Sequence, residues 1–106
     1  MALRRRVCAA AEIAPGEIKA FSVAGLDSPV LVANVGGRYV ATASVCPHED
    51  VSLVDGDVEG TRIVCPGHGY RFDLLTGRCA HDPTLRLSTY RVTVSHGNIY
   101  LDLVTL

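Results

Sequence analysis

Cys46-Pro47-His48 and Cys65-Pro66-Gly67-His68 decide how this chain is read. Each stretch supplies one thiol and one imidazole within two or three residues, and the sixteen residues between them leave room for a strand and a turn. Cysteine and histidine side chains brought together this way can fill four positions of a metal centre. A tetrahedral zinc site accepts the same four ligands, so ligand type alone leaves a structural zinc module open. Zinc fingers, however, usually keep their cysteines together and their histidines together, as C-x2-4-C followed by H-x3-5-H. The mixed order here, one of each per stretch, suits a two-metal centre in which one iron takes both cysteines and the other both histidines.

Outward from these stretches, helical periodicity is almost absent and short apolar runs punctuated by glycine recur. A strand is expected at 7–11, closed by Pro15-Gly16, and a second at 18–23, with Ile18 and Ala20 on one face and Lys19, Phe21 and Val23 on the other. After a turn at 24–29, the runs 30–35 and 38–43 read as a hairpin, because Gly36-Gly37 supplies the positive φ angles of a tight turn. The first Cys-His stretch opens directly afterwards, at Ser44-Val45. Leu53 and Val54 lead into a turn at Asp55-Gly56-Asp57, and a strand at 61–64 delivers Cys65. A strand at 70–74, a turn at Thr76-Gly77 and a return path from 78–80 come next, until Pro83 interrupts. Two last strands carry Tyr90, Val92 and Val94 on one face and then Ile99, Leu101 and Leu103, joined by a turn at His96-Gly97-Asn98. The chain is expected to be all-β, one domain over 1–106 with about ten short antiparallel strands.

With 48% apolar residues over 106 positions, a globular domain is expected, and the net charge of −1 points to neither nucleic acid nor an anionic membrane. Nine of the ten basic residues are arginine, three of them in the run Arg4-Arg5-Arg6. Such a run can open an export signal, but an apolar region of about 7–15 residues should come after it. Here only 7–11 intervenes before Glu12, so a cytoplasmic location is expected. The run reads instead as a solvated strand edge, where charge discourages edge-to-edge pairing. No stretch approaches the length of a membrane span. Cys8 and Cys79 lie in apolar, strand-like contexts and read as small buried hydrophobes rather than a disulfide.

The pattern C-x-H…C-x-x-H, with a proline after each cysteine and a glycine after the second histidine, resembles the Rieske [2Fe–2S] proteins. The likeness runs on through Phe72-Asp73 and Thr76-Gly77 and covers most of the chain. It implies a small cluster-bearing lobe, about 44–83, set into a sheet framework made from both ends of the chain. It also implies Cys46, His48, Cys65 and His68 as ligands of one [2Fe–2S] cluster, with thiolates on the protein side and imidazoles at the outer edge. Pro47 and Pro66 fix φ, and Gly67 and Gly69 let the backbone turn its N–H groups toward sulfur. Pro83, in Asp82-Pro83-Thr84, resembles the third loop that covers the cluster in this family. Glu49 and Asp50 come directly after the first histidine; they read as an exposed acidic loop pair, with tuning of the local field or meeting a basic partner as the functional alternative. His81 reads as an exposed loop histidine, with a place beside the cluster in the third loop as the alternative, and His96 as a surface residue of a hairpin turn.

Larger Rieske enzymes add a mononuclear iron held by two histidines and a carboxylate. Only His81 and His96 remain here, on different turns, so no oxygenase site is expected. The resemblance is to the small ferredoxin components of bacterial aromatic-ring-hydroxylating dioxygenase systems, in aromatic hydrocarbon catabolism. It implies a monomeric electron carrier, not an enzyme, between a flavin-containing, NAD(P)H-dependent ferredoxin reductase and a terminal oxygenase. The small Rieske-type subunit of an NAD(P)H nitrite reductase is the alternative; such subunits often lose ligand positions, and all four stand here. The high-potential respiratory branch carries a disulfide between its ligand loops and places serine and tyrosine hydroxyls near the cluster. Gly67 and the run 49–52 leave no cysteines for that disulfide, and Tyr70 and Phe72 stand at the hydroxyl positions. A potential near the low end of the Rieske range, about −150 mV, is expected.

Overall fold

The structure, a computed structural model, describes residues 2–48, 50–67 and 69–104. The chain forms β1 (Ala2–Ala9), β2 (Ile18–Phe21), β3 (Val30–Val35), β4 (Arg38–Ala43), β5 (Asp57–Glu59), β6 (Arg62–Val64), β7 (Arg71–Asp73), β8 (Thr89–Ser95) and β9 (Asn98–Val104). Single 3-10 turns at Ala10–Glu12 and Leu53–Asp55 are the helical elements among the described residues. The chain is therefore nearly all-β, as its punctuation by glycine implies. A six-stranded sheet runs β1-β9-β8-β4-β3-β2, and a three-stranded sheet runs β5-β6-β7, every pair antiparallel. Both ends of the chain thus enter the large sheet, and the middle forms the small one.

The β3–β4 hairpin is the hub. Gly36 and Gly37 take φ of +60° and +94°, the left-handed values that let two residues reverse the chain. Side chains alternate between faces with period two, and β3 is buried on both. Val30 and Val32 join one core with Cys8, Ile13, Val23, Ala41, Ile99 and Leu101. Leu31 and Ala33 join the other with Val40, Leu53, Ile63, Phe72, Leu74 and Leu87. The second core lies between the large sheet and the small one, and it fixes where the small sheet sits. Buried Asn34 ties the preceding loop to this hairpin, donating to the Ile13 carbonyl at 2.9 Å and accepting from the Gly37 amide at 2.8 Å.

Several boundaries differ from the sequence expectation. The first strand is Ala2–Ala9 rather than 7–11, because β9 offers it a full-length partner, with Arg4, Arg5 and Arg6 opposite Asp102, Leu101 and Tyr100. The three arginines are exposed on this edge strand, as their charge suggests, and Arg4 bonds Asp102 at 3.0 Å. The second strand ends at Phe21. Strand β5 was not expected, since two of its three residues are acidic. The last turn is the pair His96-Gly97, with Asn98 already opposite Ser95. The described residues hold nine strands where about ten were expected.

Beyond β7 the small sheet continues through isolated bridges, Phe72 opposite Cys79 and Arg78 opposite Arg86. Two glycines allow close backbone approaches around the small sheet. A Cβ on Gly56 would overlap the Val64 carbonyl, and one on Gly77, at φ +81°, would overlap the Leu87 carbonyl.

Candidate metal centre

Each Cys-His stretch sits in a loop whose backbone closes on itself. In the first, Val45 bridges Ser52, the Cys46 amide donates to the Val51 carbonyl at 2.9 Å, and the Leu53 amide to the Ser44 carbonyl at 2.7 Å. In the second, the Cys65 amide donates to the Tyr70 carbonyl at 2.8 Å and the Gly69 amide to the Cys65 carbonyl at 3.0 Å. Gly69 turns the chain there with φ +74°. The consequence is the same in both loops. Cys46 and Cys65 are 2% and 1% exposed and belong to one core cluster, whereas Pro47, His48, Pro66 and Gly67 are exposed.

A third loop meets the first two. Asp82 closes it, accepting from the Thr84 hydroxyl at 2.6 Å and the Thr84 amide at 2.9 Å. Those bonds hold the Asp82 carboxyl below its ordinary range. The three loops are joined by a run of rings. Tyr70 stacks on His48 with centroids 4.1 Å apart and planes 24° from parallel, and it meets His81 at 5.4 Å. His81 is thus a neighbour of His48 through one ring, although it is also exposed, as a lone loop histidine is expected to be. Pro83 is exposed and lines a hollow with Arg78, Cys79, Leu85 and Arg86.

Cys46 and Cys65 are buried in one core cluster and His48 is exposed on the first loop, but no three Cys, His, Asp or Glu side chains among the described residues are grouped so as to hold a single metal ion; His68 and Glu49 lie outside the described residues. Asp50 is exposed two residues after His48, and His96 is exposed in the β8–β9 turn. Cys8 and Cys79 are both buried free thiols, as expected. Burial and the Glu12 carboxylate push the Cys8 thiol up, against smaller opposing effects of Arg6 and Lys19.

The donor set fits an iron–sulfur centre. Two sulfurs in an apolar core would be costly as bare thiolates, and a bound cation offsets that cost. An exposed imidazole held by a stacked ring, as His48 is by Tyr70, would give such a centre a solvent-facing edge. No helix among the described residues is long and apolar enough to cross a membrane.

Residues 4–91 match the Rieske [2Fe-2S] domain family. The chain is 37% identical to ferredoxin CarAc of Metapseudomonas resinovorans, over 91% of this chain and 90% of that protein. It is 34% identical to the ferredoxin component of biphenyl 2,3-dioxygenase from Rhodococcus jostii (strain RHA1), over 92% of this chain and 91% of that one. It superimposes with a TM-score of 0.84 and 36% identity on a chain of the solved complex of reduced oxygenase and oxidized ferredoxin in carbazole 1,9a-dioxygenase, covering 94% of this chain and 91% of that one.

Proposed function

Since the chain belongs to the Rieske [2Fe–2S] family, we propose that it is the ferredoxin component of an aromatic-ring dioxygenase system. In this role it accepts single electrons from a flavin-containing, NAD(P)H-dependent ferredoxin reductase and passes them to a terminal oxygenase in the cytoplasm. The observation that carries this is a whole-length likeness to a ferredoxin component, 37% identity across 90% of that protein. A carrier of this size needs no substrate pocket, and the chain performs no substrate chemistry of its own.

One Rieske [2Fe–2S] cluster serves this function, and it supplies a reversible one-electron couple whose imidazole ligands raise its potential above that of an all-thiolate cluster. Within the 1–106 domain, residues 44–83 are the lobe assigned to hold it. Cys46 and Cys65 would bind through sulfur on the buried side, and His48 and His68 through imidazole on the outer side. Burial of Cys46 and Cys65 keeps water from the sulfur side. The Tyr70 ring restrains the His48 imidazole in its plane. Exposure of His48, Pro47 and Pro66 leaves that edge open to a docking protein, and electron-transfer encounters are small and transient.

The test uses the purified holoprotein. Equal iron and acid-labile sulfide are expected, with reduction by an NADH-fed flavin reductase and reoxidation on addition of a terminal oxygenase and its aromatic substrate. Zinc without sulfide would eliminate the cluster assignment. Reoxidation by a nitrite reductase and by no oxygenase would move the protein to the alternative role.

A further inference from the structure

Three arginines on the flank of the small sheet are left unexplained by electron carriage. Arg78 and Arg86 face each other across an isolated antiparallel bridge. Residues directly opposite in such a pair project to the same side, and like charges placed so repel. Neither side chain, nor that of Arg62, has an ion pair or hydrogen bond among the described residues, whereas Arg4 pairs with Asp102 and Arg71 with Glu59. The backbone holds the repelling pair in place. The Leu87 amide donates to the Gly77 carbonyl at 2.7 Å, and the two chains pass so closely there that a Cβ on Gly77 would strike the Leu87 carbonyl.

The pair overlooks a hollow of about 340 Å³ walled by Arg78, Arg86, Cys79, Pro83 and Leu85. Arg78 and Cys79 also border a second hollow of about 290 Å³, which Arg62 and Asp73 share. Asp73 is the acid on that wall, and its carboxylate accepts from the Leu75 and Thr76 amides at 2.7 and 3.1 Å. Guanidinium forks on a backbone held in place beside an apolar floor match carboxylates, which take two parallel hydrogen bonds from a fork. The hollow also reaches Pro83, in the loop whose His81 ring meets Tyr70 and, through it, His48.

We infer that Arg78 and Arg86, with Arg62 beside them, form a docking patch for an acidic segment of a partner protein, seated on the flank of the lobe next to the edge where electrons leave. That the partner is a redox protein rests on the carrier function proposed above; the acidic chemistry of the segment rests on the arginines alone. Asp50, exposed two residues after His48, adds the opposite sign of charge to the lobe, and mixed charge of this kind helps to fix the orientation of a docked partner.

The experiment maps phenylglyoxal modification of the arginines in the holoprotein by mass spectrometry, with a hexaglutamate peptide, a hexaglutamine peptide or inorganic phosphate present. Hexaglutamate is expected to slow modification of Arg78 and Arg86 severalfold more than that of Arg5, Arg38 and Arg91, and hexaglutamine to have no effect. Arg86→Gln should abolish the protection of Arg78 while leaving the visible spectrum unchanged. Protection spread evenly over the arginines, centred on Arg4-Arg5-Arg6, or absent would overturn the inference. Equal protection by phosphate would overturn it in favour of a small-anion site. No electron transfer enters the readout, so failure to reduce an oxygenase would count against the carrier function and leave this result standing.

Discussion

At the scale of single residues, each loop buries its sulfur and exposes its proline and the residue after it, and that contrast sets the proposed ligand cysteines apart from the other two. Cys46 and Cys65 share their core cluster with Cys79, so burial alone does not distinguish the three. Chain context does, because Cys79 lacks both that proline and the short loop around it. His48→Ala and His68→Ala are each expected to give bleached, unstable protein, while Cys8→Ser and Cys79→Ser keep the visible spectrum. Loss of colour in Cys79→Ser together with its survival in His68→Ala would reverse the ligand assignment. Cys8 also makes a pH prediction. Its thiol is pushed up in the folded chain, so the stability it contributes is full below the ordinary thiol range and lost as pH rises through the raised folded value. Iodoacetamide should therefore react slowly with Cys8 in the native holoprotein at mildly alkaline pH and quickly after unfolding. The ligand candidates were legible because thiol and imidazole at short spacing have few uses. The contact of His81 with Tyr70 was not, since it joins loops that only the folded chain brings together.

At the scale of elements, the sequence was clearest where a turn chemistry and an apolar run agreed. Gly36-Gly37 between two β-rich runs set the hairpin to the residue. It was least clear where pairing overrides composition. The charged start of β1 is a strand because β9 lies alongside it, and acidic β5 is one because β6 does. Close backbone approaches were likewise invisible, and they make a direct comparison. Gly36 and Gly77 both have positive φ, but nothing lies within 4 Å of a Cβ at Gly36. Gly36→Ala should cost about 1–2 kcal/mol for the left-handed backbone alone. Gly77→Ala should cost more, since the Leu87 carbonyl must also move. Chemical denaturation of the two variants decides, and equal losses would mean the flank is looser than its hydrogen bonds imply. Arg86→Gln should do the opposite of most substitutions and stabilise the protein by about a few tenths of a kcal/mol, because it relieves the repulsion across the bridge.

At the scale of the whole molecule, two sheets and three loops set the electrostatic surroundings of one redox centre, and its potential depends on them. Hydrogen bonds to cluster sulfur favour the reduced, more negative state, so their loss lowers the potential. Phe72, fully buried between Ile63 and Cys79 in the ladder, has no group to donate. Tyr70 has one, but its ring lies on His48 and its hydroxyl makes no hydrogen bond among the described residues. Exposed Asp50, two residues after His48 in the first loop, adds negative charge to that loop and pushes the same way. Charge reversal of Asp50 together with Glu49 should therefore change transfer rates in a manner that fades with salt, leaving the spectrum intact. A midpoint near the low end of the Rieske range, about −150 mV, is expected, within reach of an NAD(P)H-fed flavin reductase. Phe72→Tyr should raise it, by placing a hydroxyl in the buried layer that also holds Cys65. Protein-film voltammetry of the wild type and of this variant is the measurement. A wild-type midpoint above about +100 mV would belong to the respiratory branch, and it would sink both the hydrogen-bond account and the carrier role.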